Sequence, residues 1–118
     1  EKINLAEKLS SFNDYFNPRI AGELNGQQVK LVKFQGEFVW HNHSDTDEVF
    51  IVLNGEMKIH FKDVDVIVKD GEMFVIPKGM EHKTSAHHEC QAMLVETRGT
   101  INTGDTVSEK TAIDGIWI

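Results

Sequence analysis

The chain has 118 residues, 40% hydrophobic and 26% charged, the proportions of one ordinary globular domain with a single core. Its formal net charge of −7 repels nucleic acid and anionic membrane surfaces, so neither is expected as a partner, while a small-molecule ligand is left open. The one cysteine, Cys90, rules out an internal disulfide and suits a reducing cytoplasm. Cys90 leads into Gln91 to Val95, which reads as a strand, so it is expected as a buried small hydrophobe rather than a nucleophile. No apolar run approaches the ~20 residues that span a bilayer. No charged-then-apolar leader is read at the start, which is Glu1 rather than Met and is compatible with trimming.

Asn4 to Ser11 reads as a short helix, with Asn4 as N-cap, Glu7 three residues on, and Ile3, Leu5, Leu9 and Phe12 able to cover one edge of a core. Pro18 ends that tendency. The punctuation then becomes that of a β-protein. Asn25-Gly26, Asn54-Gly55 and Asp70-Gly71 are hairpin signals, and a polar kink falls at Asp63 to Asp65. Met57, Ile59 and Phe61 alternate with Lys58, His60 and Lys62; Val64, Val66 and Val68 repeat the pattern. Val49 to Leu53 is apolar on both faces, as in a strand between two layers. Many short strands of this kind predict a sandwich or barrel. Gly99 to Ser108 reads as a surface loop. The end, Ala112 to Ile118, carries Ile113, Ile116, Trp117 and Ile118, which must dock on the same chain or across a dimer interface; a homodimer is expected.

Two segments hold the chemistry: Gly36-Glu-Phe-Val-Trp-His41-Asn-His43-Ser-Asp-Thr-Asp-Glu48, and Gly71-Glu-Met-Phe-Val-Ile-Pro77-Lys-Gly79-Met-Glu-His82. On a strand, residues two apart share a face, so His41 and His43 can point inward side by side. Ser44 to Asp47 is a polar turn, and a hairpin return would bring Glu48 back to the two histidines. His82, after the Pro77-Lys-Gly79 turn, can approach from another side. Three imidazoles and one carboxylate suit a borderline divalent metal: Fe, Mn, Ni, Zn, Co or Cu. Four protein ligands on an octahedral ion leave two positions open, the mark of a working rather than structural site. His60 is expected to face outward and His87-His88 to sit in a turn, and none of these three is read as a ligand.

The paired segments resemble the two motifs of the cupin superfamily. There the first motif supplies two histidines and a glutamate and the second a third histidine, which on this chain are His41, His43, Glu48 and His82. The resemblance covers about Lys30 to Glu96 and implies an all-β, double-stranded β-helix (jelly-roll) barrel, to which the composition adds a short N-terminal helix. The whole of residues 1–118 is read as a single domain of this kind, with both ends peripheral. Two positions depart from the family pattern. The spacing from Gly36 to His41 is one residue shorter than usual, and Ala86 stands where the second motif usually ends in asparagine.

Members of that superfamily include dioxygenases, isomerases and sugar-binding modules, so fold and metal together leave the reaction open. The resemblance implies a metalloenzyme of dioxygenase or isomerase type acting on a small oxygen-bearing molecule, or else a non-catalytic module binding a sugar or small metabolite. Phe34, Phe38, Trp40, Met57 and Phe74 are the candidate pocket residues. Glu81 and Glu89 are the nearest candidate acids or bases, each read as a solvated side chain, and no catalytic residue is assigned. With only Arg19 and Arg98 as arginines and no phosphate-binding loop, a sugar-phosphate substrate is disfavoured.

Overall fold

A computed structural model describes the whole chain except residue 107 and residues 112–114. Helix α1 (Leu5–Leu9) begins where Asn4 caps it, its side-chain oxygen accepting the Glu7 N–H at 3.1 Å. The Ser10 and Ser11 hydroxyls donate back to the Glu7 and Lys8 carbonyls, so the predicted helix ends slightly early. Leu9 and Phe12 are buried with Ala21 and Leu31, and Ile3 stays exposed.

Eight strands follow: β1 (Arg19–Leu24), β2 (Gln27–Glu37), β3 (Glu48–Asn54), β4 (Glu56–His60), β5 (Asp65–Lys69), β6 (Met73–Ile76), β7 (Lys83–Thr97) and β8 (Ile116–Trp117). They form one branched sheet that hydrogen bonds do not close into a ring. Its path runs β5-β4-β7-β2-β1-β8, with β3 also on β7 and β6 on β3. The long strands β2 and β7 fold it double. Between the pairs Phe34↔Cys90 and Gly36↔Ala86, Gln35 alone faces His87, His88 and Glu89. C-terminal to this bulge β7 lies between β2 and β3; N-terminal to it, between β2 and β4. A bulge bends its strand, and this one lets a pair of strands serve both layers. This is the expected all-β jelly-roll architecture with its short N-terminal helix.

Strand parity sets the core. Val32 and Phe34 of β2, Phe50 and Val52 of β3, Met57 and Ile59 of β4, and Cys90, Ala92 and Leu94 of β7 meet inside. Leu31, on the opposite face of β2, is covered by α1. The Ala86 methyl sits within the main core, so the position where asparagine was expected is occupied by packing rather than hydrogen bonding.

Several local readings are corrected. Asn25-Gly26 does close a β1–β2 hairpin, with both residues at positive φ. Asn54-Gly55 and Asp70-Gly71 do not close hairpins, because β3 pairs with β6 and β7 while β4 pairs with β5. The two turns are instead stepping points between layers, tied by the Gly55 N–H donating to Asp70 Oδ1 at 2.6 Å. The real β4–β5 hairpin is the polar kink, where the Phe61 N–H donates to the Val64 carbonyl. His87-His88 lies in the β7 bulge rather than a turn. The loop after β7 is not purely surface: Thr103 is fully buried, and Asp105 N–H donates to the Asn42 carbonyl at 3.1 Å. The tail runs parallel to β1 as β8, with Ile118 packed near α1 and Ile116 and Trp117 exposed. Ala112 and Ile113 lie outside the described residues.

Candidate metal centre

Past the end of β2 the chain keeps its partner. Phe38 N–H donates to the Thr84 carbonyl, and His41 and His82 exchange both backbone hydrogen bonds at 2.9 Å. Glu37 pairs with Ser85, so Phe38, Val39 and Trp40 face only Lys83 and Thr84. The extra residue resets the alternation, and both Phe38 and His41 point inward. His43 follows in a loop held to the second motif: Gly79 N–H donates to the His43 carbonyl at 2.7 Å, and Lys78 N–H to Asp47 Oδ1 at 2.9 Å. Glu48 opens β3. It does not arrive by a hairpin return, since β2 and β3 are not paired; it is delivered by β3 crossing to β6 and β7.

The four side chains converge all the same. One ligand atom from each of His41, His43, Glu48 and His82 lies within 4.8 Å of the others, and all four residues are buried. His41 Nδ1–H donates to the Val39 carbonyl at 2.8 Å, and His82 Nδ1–H to the Met80 carbonyl at 2.9 Å. A carbonyl can only accept, so each Nδ1 carries the proton and each Nε2 keeps a lone pair for the interior. Glu48 spans the group, one oxygen 3.2 Å from His43 Nε2 and the other 3.5 Å from His82 Nε2.

Despite those distances, His43 Nε2, His82 Nε2 and Glu48 Oε1 have no partner with hydrogen-bond geometry. Buried polar atoms without partners are rare and costly, and a divalent cation at their common centre would satisfy all of them. Burial pushes His41 down to about 4, helped by the neighbouring His82, which favours the neutral, ligating imidazole. Burial also opposes charge on His43, but the Glu48 carboxylate outweighs it and raises that group. Burial works against a charged Glu48 too, yet His43 and His82 hold its carboxyl well below the usual range. The cluster suits a metal ion.

Behind Glu48 lies a second carboxyl that sequence reading passed over. Glu96 is pushed up to about 8, first by burial and then by the negative charge of Glu48, with Lys30 pulling the other way through a 2.8 Å bond. A signal for both existed: Lys30 shares its face of β2 with Val32 and Phe34, and Glu96 shares its face of β7 with Leu94 and Ala92. Phe16 and Phe50, also passed over, join Phe34 and Phe38 around a cavity beside His41 and Glu48. Trp40 is instead exposed with Lys83 above its ring, Met57 is fully buried, and Phe74 packs against the core. Glu81 and Glu89 are exposed, bonded to Asn42 and Tyr15, and do not line that cavity. His60 is half-buried, with its ring between Asp65 and Ser85.

Comparison with known proteins agrees with this fold. A family model described as Cupin domain matches residues 29–98. A crystal structure of a cupin-2 domain containing protein from Shewanella frigidimarina is 53% identical, covers 81% of this chain and 94% of that one, and has a TM-score of 0.81. The Bacillus subtilis protein YdbB is 43% identical over 75 residues, which are 63% of this chain and 66% of that protein. A hydroquinone 1,2-dioxygenase is 18% identical, with 82% of this chain and 72% of that one covered at a TM-score of 0.70, a likeness of fold alone. With more than half of its length matched, the chain belongs to the cupin family.

Proposed function

We propose that the protein binds one divalent transition metal through His41, His43, Glu48 and His82, and that it is a metalloenzyme of dioxygenase or isomerase type acting on a small oxygen-bearing molecule. The observation that carries this reading is the buried convergence of three imidazoles and a carboxylate within 4.8 Å, three of their atoms lacking any hydrogen-bond partner. Bound there, the ion would supply Lewis-acid or redox chemistry. The chain's own contribution is orientation and exclusion of water. The Val39 and Met80 carbonyls hold two rings in the ligating tautomer, and Phe38 packs edge-on against His41 at 5.4 Å between centroids. A second reading is a non-catalytic module that binds a sugar or small metabolite, favoured by the absence of Glu81 and Glu89, the candidate acids or bases, from the lining of the adjoining cavity.

The test is elemental analysis of protein purified without added metal, beside His43→Ala. About one metal per chain in the wild type and a sharp fall in the variant are expected. Unchanged stoichiometry would sink the site. Iron with oxygen uptake supports the dioxygenase type; zinc or nickel with neither uptake nor turnover supports the binding module. The expected homodimer draws support from Ile116 and Trp117, which are 45% and 57% exposed on the outermost strand, and light scattering tests it. The expected cytoplasmic location draws support from the unpaired, buried Cys90. No helix among the described residues is long and apolar enough to cross a membrane.

A further inference from the structure

Val49 to Leu53 is apolar on both faces, the make-up of a strand with a layer on each side. The fold supplies the inner layer, where Phe50 and Val52 join the core. The face of β3 turned away from the core belongs to two ranks of apolar side chains that run straight across four strands. Val75, Val49, Val95 and Val29 are register partners in turn, from β6 through β3 and β7 to β2. Met73, Ile51, Met93 and Leu31 form the next rank in the same way. An antiparallel sheet with one face to water normally carries polar residues on that face. Neither rank holds one.

Helix α1 covers only one side of this face. With Phe12 it shuts Leu31 in completely, and Met93 packs against the same cluster. On the other side Met73 is 61% and Val75 49% exposed, on an edge strand that pairs with β3 alone. Val29, Val49, Ile51 and Val95 lie between and are half-buried. The face is therefore raised over β2 and bare at β6. A second copy turned about a two-fold axis along the strands lays its bare side on the raised one, and its raised side on the bare one. That self-complementarity is what a closed dimer requires. Charge points to the same occupant. Copies of a chain at −7 repel, and they approach closely only where neither presents charge, as in these two ranks. Four strands at ~4.8 Å spacing and about 20 Å of strand length give a face of about 400 Å² in projection. The flank of α1 extends it toward the ~800 Å² per partner of a standard interface.

We propose that this outer face of β2, β7, β3 and β6 is the contact between two copies of the chain, packed sheet on sheet with each α1 against the other copy's β6. The proposal rests on the homodimer reading and places the contact here rather than at Ile116 and Trp117.

Light scattering over a concentration series, on the full chain as purified, reads the mass against 13.4 kDa per chain. The variants are Val75→Lys on this face and Trp117→Lys on the tail. The wild type should be a dimer. Val75→Lys should weaken it at least about tenfold, because the two-fold places two ammoniums in an apolar contact, and Trp117→Lys should leave it within about threefold. A second readout needs no variant. In the single chain Met73 is more exposed than Met80, at 61% against 43%, so peroxide would oxidise it at least as fast. In the dimer Met73 is covered, and mass spectrometry of wild-type peptides should find it at least about fivefold slower than Met80. This readout decides if Val75→Lys does not fold by circular dichroism. A monomeric wild type overturns the homodimer reading and this face together. A dimer split by Trp117→Lys but not by a folded Val75→Lys, a dimer split by neither, or a Met73 as reactive as Met80 overturns this face alone.

Discussion

His41 and His82 face each other as a hydrogen-bonded pair, each backbone N–H donating to the other's carbonyl at 2.9 Å, with their ring centroids 4.3 Å apart. One comes from each motif, so the backbone bonds that join the motifs also bring two candidate ligands together. Those bonds do not depend on the rings. His41→Ala should therefore leave the stability of the metal-free chain within about 1 kcal/mol of wild type by urea unfolding. Added zinc or manganese should raise the wild-type melting temperature, by the equivalent of about 2.7 kcal/mol at a hundredfold excess over Kd, and should leave the variant nearly unmoved. Equal stabilisation of both would remove His41 from the site.

The Lys30–Glu96 pair is 5% and 2% exposed and bridges β2 to β7 behind Glu48. The Glu96 carboxyl, pushed up to about 8, stays neutral once Lys30 is gone, so Lys30→Met costs a buried hydrogen bond rather than a stranded charge. It should destabilise by about 1–3 kcal/mol, and the double variant with Glu96→Gln should regain part of that. Urea midpoints measure both. A Lys30→Met protein as stable as wild type would show that the pair is not holding the strands together.

Gly55 lies where β3 steps to β4. A Cβ built there would sit 2.9 Å from the Glu89 carbonyl oxygen and 3.2 Å from Cys90 Cα, on a backbone at φ +102°. Neither atom belongs to a flexible side chain. Gly55→Ala should destabilise by roughly 2–3 kcal/mol, through both the close approach and the conformation. Thermal unfolding that matched wild type would mean β7 can yield at its bulge.

Burial, with a smaller push from Asp70, raises the Cys90 thiol to about 12. The thiolate is the reactive form, so it is absent from the folded chain well above neutral pH. Ellman's reagent at pH near 8 should titrate almost no thiol in the native protein and one per chain in guanidinium. Rapid native reaction would place Cys90 at the surface.

Much of the site was legible in the residues themselves. His41 and His43, Glu48 and His82 are the right chemical types at the spacing of two known motifs, and local chemistry alone marked the Asn4 cap and the Asn25-Gly26 hairpin. These are short-range facts, set by side-chain parity, turn propensity and ligand softness. The tertiary structure decided the rest. Asn54-Gly55 has the same turn chemistry as Asn25-Gly26, yet it steps between layers, because the pairing of β3 with β6 and β7 is a long-range choice. Glu48 reaches the histidines by that crossing rather than by a local return. His41 points inward only because an extra residue before it shifts the register against His82. Glu96, Lys30 and Phe16 enter the picture for the same reason. They lie outside the two motifs, and only the fold of β2 against β7 brings them behind and beside the metal centre.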